Sequence, residues 1–194
     1  MEDLKERFNE YLELSGVSEI ARRYFVMNAF DGVLTMVGVI IGAYMGGNIN
    51  HDVILGAGIS ASIAMGISGF SGAYMTENAE RTREMKRLES ALLISLEGTR
   101  FSRAKRFAII FVSLVDGLSP AVGAFIVVSP FFFTSIIAPA TAVLLSLALA
   151  LITLFLLGVY LAHISDEMFI THGLKMLIVG LITITICTGA MRLL

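Results

Sequence analysis

Two aspartates lie within stretches of sequence that are otherwise uncharged. Asp31 lies in the run 24–45, and Asp116 is the one charged residue of the run 107–162. A carboxylate is costly to hold at membrane depth, and where one occurs it commonly takes part in ion or proton movement. These two residues therefore predict coordination of a cation, or transfer of a proton, inside a lipid bilayer.

Asp116 has further support from the residues that follow it. Pro120 has no N–H to donate to the carbonyl of residue 116, and Gly117 weakens the same turn. A helix interrupted in this way presents side-chain and backbone oxygens together, as the broken helices of transporters do. The alternative is a simple kink, in which the carboxylate bonds a neighbouring helix or a buried water.

Small residues fill the apolar run between residues 56 and 73. In lipid, such residues let helix backbones approach closely. Met65 is the long side chain in an i, i+4 row that also holds Ala61, Gly69 and Ala73. Its thioether is either an ordinary packing group or a soft metal ligand that faces Asp31.

Three carboxylates, Glu77, Glu80 and Glu84, follow this run at i, i+3 and i+7. On one helical face they could collect a divalent cation at the mouth of a pathway. The alternative is a solvated helix, in which Glu77 pairs with Arg81 and Glu84 pairs with Arg87.

A second polar group comes late in the chain, where His163, Asp166 and Glu167 are followed by His172. These residue types are ligands for Fe, Mn or Zn, although their spacing matches no zinc-hydrolase motif. Ordinary polar residues at a turn are the alternative. An intramembrane metal hydrolase is disfavoured, because no nucleophile or general base with a recognised spacing accompanies them.

The composition identifies the setting of these residues. Hydrophobic residues make up 56% of the 194-residue chain and charged residues 15%, with a mean hydropathy of +0.83. Several apolar runs reach the roughly 20 residues that span a bilayer as a helix, and they are too long for barrel strands. A net charge of −2 gives no indication of nucleic-acid binding. The single Cys187 cannot form an intrachain disulfide.

The apolar runs predict an all-α polytopic membrane protein with five transmembrane helices. A short amphipathic surface helix is predicted over 1–20, and a five-helix transmembrane domain follows over 21–194. Residues 77–105 form a short charged cytoplasmic helical element within that domain. The five helices are predicted at 21–45, 53–76, 106–128, 139–162 and 172–192.

Lysine and arginine set the predicted orientation. Thirteen of the 14 lysines and arginines lie in the N-terminal segment, between the second and third predicted helices, or beside the turn before the last helix. Arg192 lies at the opposite end of the last helix. By the positive-inside rule, the N-terminus is cytoplasmic and the C-terminus is outside.

The sequence also contains an internal repeat. The segment 31–42 and the segment 116–127 both begin with Asp-Gly and continue to Val-Gly at the same spacing. A duplicated helical hairpin of one orientation, a common transporter construction, explains this likeness. Chance identity between glycine-rich helices is the alternative.

Five short segments of the sequence resemble the vacuolar iron transporter family. They are Asn-Ala-Phe-Asp-Gly at 28–32, Gly-Ala-Tyr at 72–74, Glu-Arg at 80–81, Ser-Pro-Phe-Phe-Phe at 129–133 and Gly-Leu-Lys-Met-Leu-Ile-Val-Gly at 173–180. The likeness spans about residues 20–194. The Asp-Gly pair at 31–32 and the terminal helix are its most specific parts.

The resemblance implies five membrane helices and a homodimer with its pathway along the two-fold axis. It also implies proton-coupled export of Fe²⁺, often of Mn²⁺ too. Asp31 matches the acid of helix one in the family's pore, and Met65 matches the pore methionine if a gap of about four residues is allowed. Family members with a metal-gathering domain carry a long glutamate-rich insert. Here about 30 residues, including Glu77, Glu80 and Glu84, occupy its place.

The sequence therefore predicts a dimeric exporter of Fe²⁺ or Mn²⁺ that is not an enzyme. Its predicted metal-site residues are Asp31, Met65, Glu77, Glu80, Glu84 and Asp116, and Asp116 is also the candidate for the proton step. Its predicted partners are divalent metal, protons, lipid and a second copy, with no permanently bound cofactor. The predicted location is a prokaryotic cell membrane rather than an organelle. The alternative function is a membrane-embedded metal-sensing or regulatory module that does not transport.

Overall fold

The computed structural model describes residues 10–12, 16–47 and 50–193. Its long helices are α1 (Val17–Met45), α2 (His51–Leu92), α3 (Arg100–Val128), α4 (Pro139–Ile164) and α5 (Phe169–Leu193), and a 3-10 helix (Ser129–Phe133) follows α3. All five α-helices are long and apolar enough to cross a bilayer. The chain is therefore a multi-pass membrane protein, and its described residues form helices and turns without a strand, as the predicted all-α class requires. Most of the predicted amphipathic helix over 1–20 lies outside the described residues, and the orientation of the termini stays a prediction.

The second helix is longer than the sequence predicts. α2 has 42 residues, so at about 1.5 Å per residue it is roughly 63 Å long, about twice the thickness of the hydrocarbon core. Its charged part, residues 77–92, contains no glycine or proline and many good helix formers. The charged element predicted at 77–105 is therefore the end of α2, a short loop and the first turns of α3.

The third helix begins six residues before the predicted position. Gly98 has a φ of +71°, which turns the chain, and the hydroxyl of Thr99 accepts a hydrogen bond from the amide of Ser102 at 3.3 Å. This is the bonding of an N-cap, so α3 begins at Arg100 although its first turns are charged. α3 also continues through Pro120 without the predicted break, since membrane helices tolerate proline where local adjustments satisfy the backbone.

Two prolines shape the connection between α3 and α4. Pro130 lies in the first turn of the 3-10 helix. Pro139 begins α4 after Ala138, whose backbone is extended (φ −62°, ψ 142°). A proline at the first helical position loses no intrahelical hydrogen bond.

The helices contribute to two compact units. The first comprises the described part of Met1–Phe25 with Gly66–Leu118, and the second comprises Val26–Met65 with the described part of Ser119–Leu194. The core of the first unit contains Val17, Ala108 and Val112, with Tyr24 and Phe107 packed against it. The core of the second includes Met36, Ile40, Phe131 and Leu154.

Within the second unit, two glycines allow α1 and α3 to approach closely. A Cβ atom added to Gly32 would lie 2.1 Å from the carbonyl oxygen of Pro120, and one added to Gly123 would lie 2.3 Å from the carbonyl oxygen of Ala29. Real Cβ atoms do not come so near to backbone. The crossing of these two helices therefore depends on the absence of a side chain at both positions.

Candidate functional site

Asp31 lies at the centre of α1, in the second unit, and its side chain is exposed in the single chain. Thr35, Gly38 and Gly42 follow it at intervals of four, three and four residues, which places all four on one face of the helix. A Cβ atom added to Gly38 or to Gly42 would meet no heavy atom within 4 Å. This surface, called the Asp31 face below, is therefore open in the single chain. Met65, in the same unit, is half-buried on α2.

Asp116 has the opposite environment in the first unit. It is 7% exposed and lies against the small-residue stretch of α2. A Cβ atom added to Gly69 would be 2.8 Å from the Oδ2 atom of Asp116, and one added to Gly66 would be 2.9 Å from the carbonyl oxygen of Gly117. The close approach predicted from the small residues is therefore present where α2 crosses α3.

The three glutamates at the charged end of α2 do not share one environment. Glu77 is 4% exposed, and its Oε2 atom accepts a hydrogen bond from Nε of Arg81 at 2.9 Å. Glu80 and Glu84 are exposed. The i, i+4 pair between Glu77 and Arg81, which belongs to the solvated-helix alternative, is confirmed, although Glu77 is buried and Arg81 is partly buried.

Metal capture by these glutamates stays a prediction. Among the residues that the structure describes, no three His, Cys, Asp or Glu side chains converge to hold a metal ion.

Tyr24 is a polar neighbour that the sequence does not single out. The charges of Glu77, Asp116 and Glu80 all act on its side chain, and the guanidinium carbon of Arg23 lies 5.8 Å from its ring centroid. Tyr24 thus lies in the field of the two buried carboxylates of the first unit. A tyrosine near the end of a membrane helix is common at lipid interfaces, so its type and position give no distinguishing signal.

The late polar group forms a pair rather than a ligand cluster. Nε2 of His172 is hydrogen-bonded to Oε2 of Glu167. This hydrogen bond, assisted by the charge of His172, lowers the pKa of the Glu167 carboxyl. His163 packs instead on Phe169, with their ring centroids 6.2 Å apart, and Asp166 adopts a left-handed backbone with φ +52°. The pair joins the turn after α4 to the first turn of α5.

The sequence model of the VIT family matches residues 102–192. An uncharacterized protein of Methanocaldococcus jannaschii is 34% identical over 172 residues, which is 87% of this chain and 87% of that protein. The similarity therefore includes both Asp-Gly segments and nearly the whole five-helix domain.

Proposed function

This chain belongs to the VIT family, whose members are membrane metal-ion transporters rather than enzymes, and we propose that it exports Fe²⁺ or Mn²⁺ from the cytoplasm in exchange for protons. The metal is the transported substrate, and no resident cofactor is required. The proposed location is the cell membrane of a prokaryote.

The exposed carboxylate of Asp31 is the observation that carries this proposal. Asp31 is the central residue of α1, which runs Val17–Met45, so in a bilayer it would lie close to mid-membrane. An ionised side chain at that depth is stable only when it faces a partner, a cavity or an ion. A second copy of the chain would cover the Asp31 face and bring two carboxylates together beside the two-fold axis.

The internal repeat indicates that the Asp31 face packs against another helix that the single chain does not supply. Gly38 and Gly123 occupy the same position in the two repeats, seven residues after Asp31 and Asp116. Gly123 is packed against the backbone at Ala29, whereas Gly38 has nothing against it. Because small residues in membrane helices commonly mark helix contacts, we place a helix of the second copy on Gly38.

The ligand types favour a transition metal of intermediate softness. Two Asp31 carboxylates, with the Met65 thioether, would supply oxygen and sulfur together, which suits Fe²⁺ or Mn²⁺ better than Mg²⁺. A carboxylate in a low-dielectric setting gains affinity for protons, so a proton can replace the metal after its release. The buried Asp116 is the proposed carrier of that proton.

Purified protein in sealed liposomes tests the function. We expect quenching of an enclosed metal-sensitive dye with Fe²⁺ and Mn²⁺, faster than with Ca²⁺ and dependent on an imposed pH gradient. Co²⁺ and Zn²⁺ define the selectivity, and liposomes without protein provide the control. Metal binding without flux would contradict the exporter and support the metal-sensing alternative.

The proposed dimer predicts an effect of filling the Asp31 face. Replacing Gly38 with leucine should convert most of the dimer to monomer, because the added side chain would hold the two helices apart. Gly189 is a matched control on α5, since a Cβ atom there also meets nothing within 4 Å. Light scattering in detergent should show a monomer for G38L and a dimer for G189L. A dimer that persists in G38L would place the interface elsewhere.

A further inference from the structure

A polar cavity in the first unit belongs to no part of the proposed pathway. It lies where the charged end of α2 meets the start of α3 and has a volume of about 560 Å³. The buried side chains of Met85 and Ile109 form apolar parts of its wall. The charged groups of the wall are Lys86, Glu89, Glu97, Lys105 and Arg106.

Positive charge exceeds negative charge in this cavity. Nζ of Lys105 donates a hydrogen bond to the hydroxyl of Thr82 at 2.9 Å rather than to a carboxylate. Among the charged groups that act on Lys105, Glu89 has the largest effect, and the cations Arg106 and Lys86 follow. Oε1 of Glu89 accepts a hydrogen bond from the amide of Leu96 at 2.8 Å, so this oxygen is already engaged by the loop.

The loop that closes the cavity is held by its own hydrogen bonds. The hydroxyl of Thr99 donates to the carbonyl of Leu96 at 2.6 Å and accepts from the amide of Ser102 at 3.3 Å. Gly98 adopts its left-handed backbone at the cavity wall. Together with the bond from Leu96 to Glu89, these contacts give the cavity a preformed wall between α2 and α3.

We propose that this cavity binds a phosphate group. Three cations and the hydroxyls of Thr82 and Ser102 supply charge and hydrogen-bond donors, which is the set that phosphate oxygens require. A divalent metal is disfavoured because the cations outnumber the carboxylates. The phosphate belongs either to an anionic lipid headgroup or to a soluble phosphate. The α2 residues that line the cavity come directly after the apolar part of that helix. Basic pockets at this kind of position, next to the membrane, bind anionic headgroups.

Two double variants with equal loss of charge test the site. K86Q/K105Q removes one cation from α2 and one from α3 inside the cavity. R87Q/R103Q removes one from each helix outside it, since neither arginine lines the cavity. Each delipidated full-length protein is incubated with phosphatidylglycerol or phosphatidylcholine, and bound lipid is counted by native mass spectrometry. Inorganic phosphate is titrated separately by calorimetry and as a competitor of the lipid.

The wild type should retain phosphatidylglycerol over phosphatidylcholine, and K86Q/K105Q should lose about tenfold or more of that retention. R87Q/R103Q should stay within about twofold of the wild type. Inorganic phosphate that binds with the same dependence and displaces the lipid would identify the soluble source and still support the site. Equal losses in both double variants, or no preference of the wild type for either phosphate ligand, would overturn the proposal. R106Q, at an exposed side chain, gives the same test should K86Q/K105Q fail to fold.

Discussion

Replacing Asp31 with asparagine is expected to reduce metal flux at least about 100-fold while the protein still folds. The substitution removes a carboxylate from each copy in the proposed dimer, and even groups that merely support metal ligands contribute 10- to 100-fold to affinity or activity. Asparagine has nearly the same shape, and Asp31 is exposed in the single chain, so the helix should pack as before. The measurement is the initial rate of Fe²⁺ and Mn²⁺ entry into dye-loaded liposomes.

Asp52 provides the matched control for this prediction. It is an exposed carboxylate in the first turn of α2, 3.2 Å from Nε2 of His51, so D52N makes the same chemical change at a helix end. D52N should transport within about twofold of the wild type, since an exposed pair of this kind contributes little. Equal rates for the wild type and D31N would remove Asp31 from the pathway.

Replacing Gly32 with alanine is expected to lower the free energy of unfolding by about 3 kcal/mol or to prevent folding. The new Cβ would lie 2.1 Å from the carbonyl oxygen of Pro120, and backbone atoms cannot move aside as a flexible side chain can. Overpacking a close contact typically costs about 1–3 kcal/mol, and this overlap is severe. Thermal unfolding in detergent can be followed by a thiol-reactive dye, because the chain has one cysteine, and Cys187 is half-buried.

Gly189 separates this steric effect from the general effect of removing a glycine. It also lies within a helix, but a Cβ atom there meets nothing within 4 Å. G189A should therefore unfold at the wild-type temperature or higher, since alanine is favoured over glycine within helices by up to about 1 kcal/mol. A melting temperature of G32A equal to that of G189A would show that α1 and α3 do not cross at Gly32.

The sequence predicts the number and order of the membrane helices because lipid imposes a simple requirement on composition and length. It does not predict where the helices end in water. α3 is predicted to begin near 106 because the preceding residues are charged, and charge is excluded from lipid. Charge does not end a helix, however. The cap at Thr99 and the turn at Gly98 set the actual start.

The candidate site is predicted less completely, since burial depends on which helix packs against each residue. Asp31 and Asp116 occupy equivalent positions of the repeat in the sequence, yet Asp31 is exposed whereas Asp116 is buried. The spacing of the three glutamates suggests the pair between Glu77 and Arg81, but it does not reveal that Glu77 is buried. The association of Tyr24 with the buried acids depends on contacts between helices, which no local pattern contains.

Binding of Mn²⁺ to the purified protein tests the central claim most directly, because Mn²⁺ is paramagnetic and its free and bound forms can be counted by electron paramagnetic resonance. A carboxylate shared across a two-fold axis predicts about one tightly bound Mn²⁺ for every two chains in the wild type and in D52N, and none in D31N. Tight binding that persists unchanged in D31N would contradict this account.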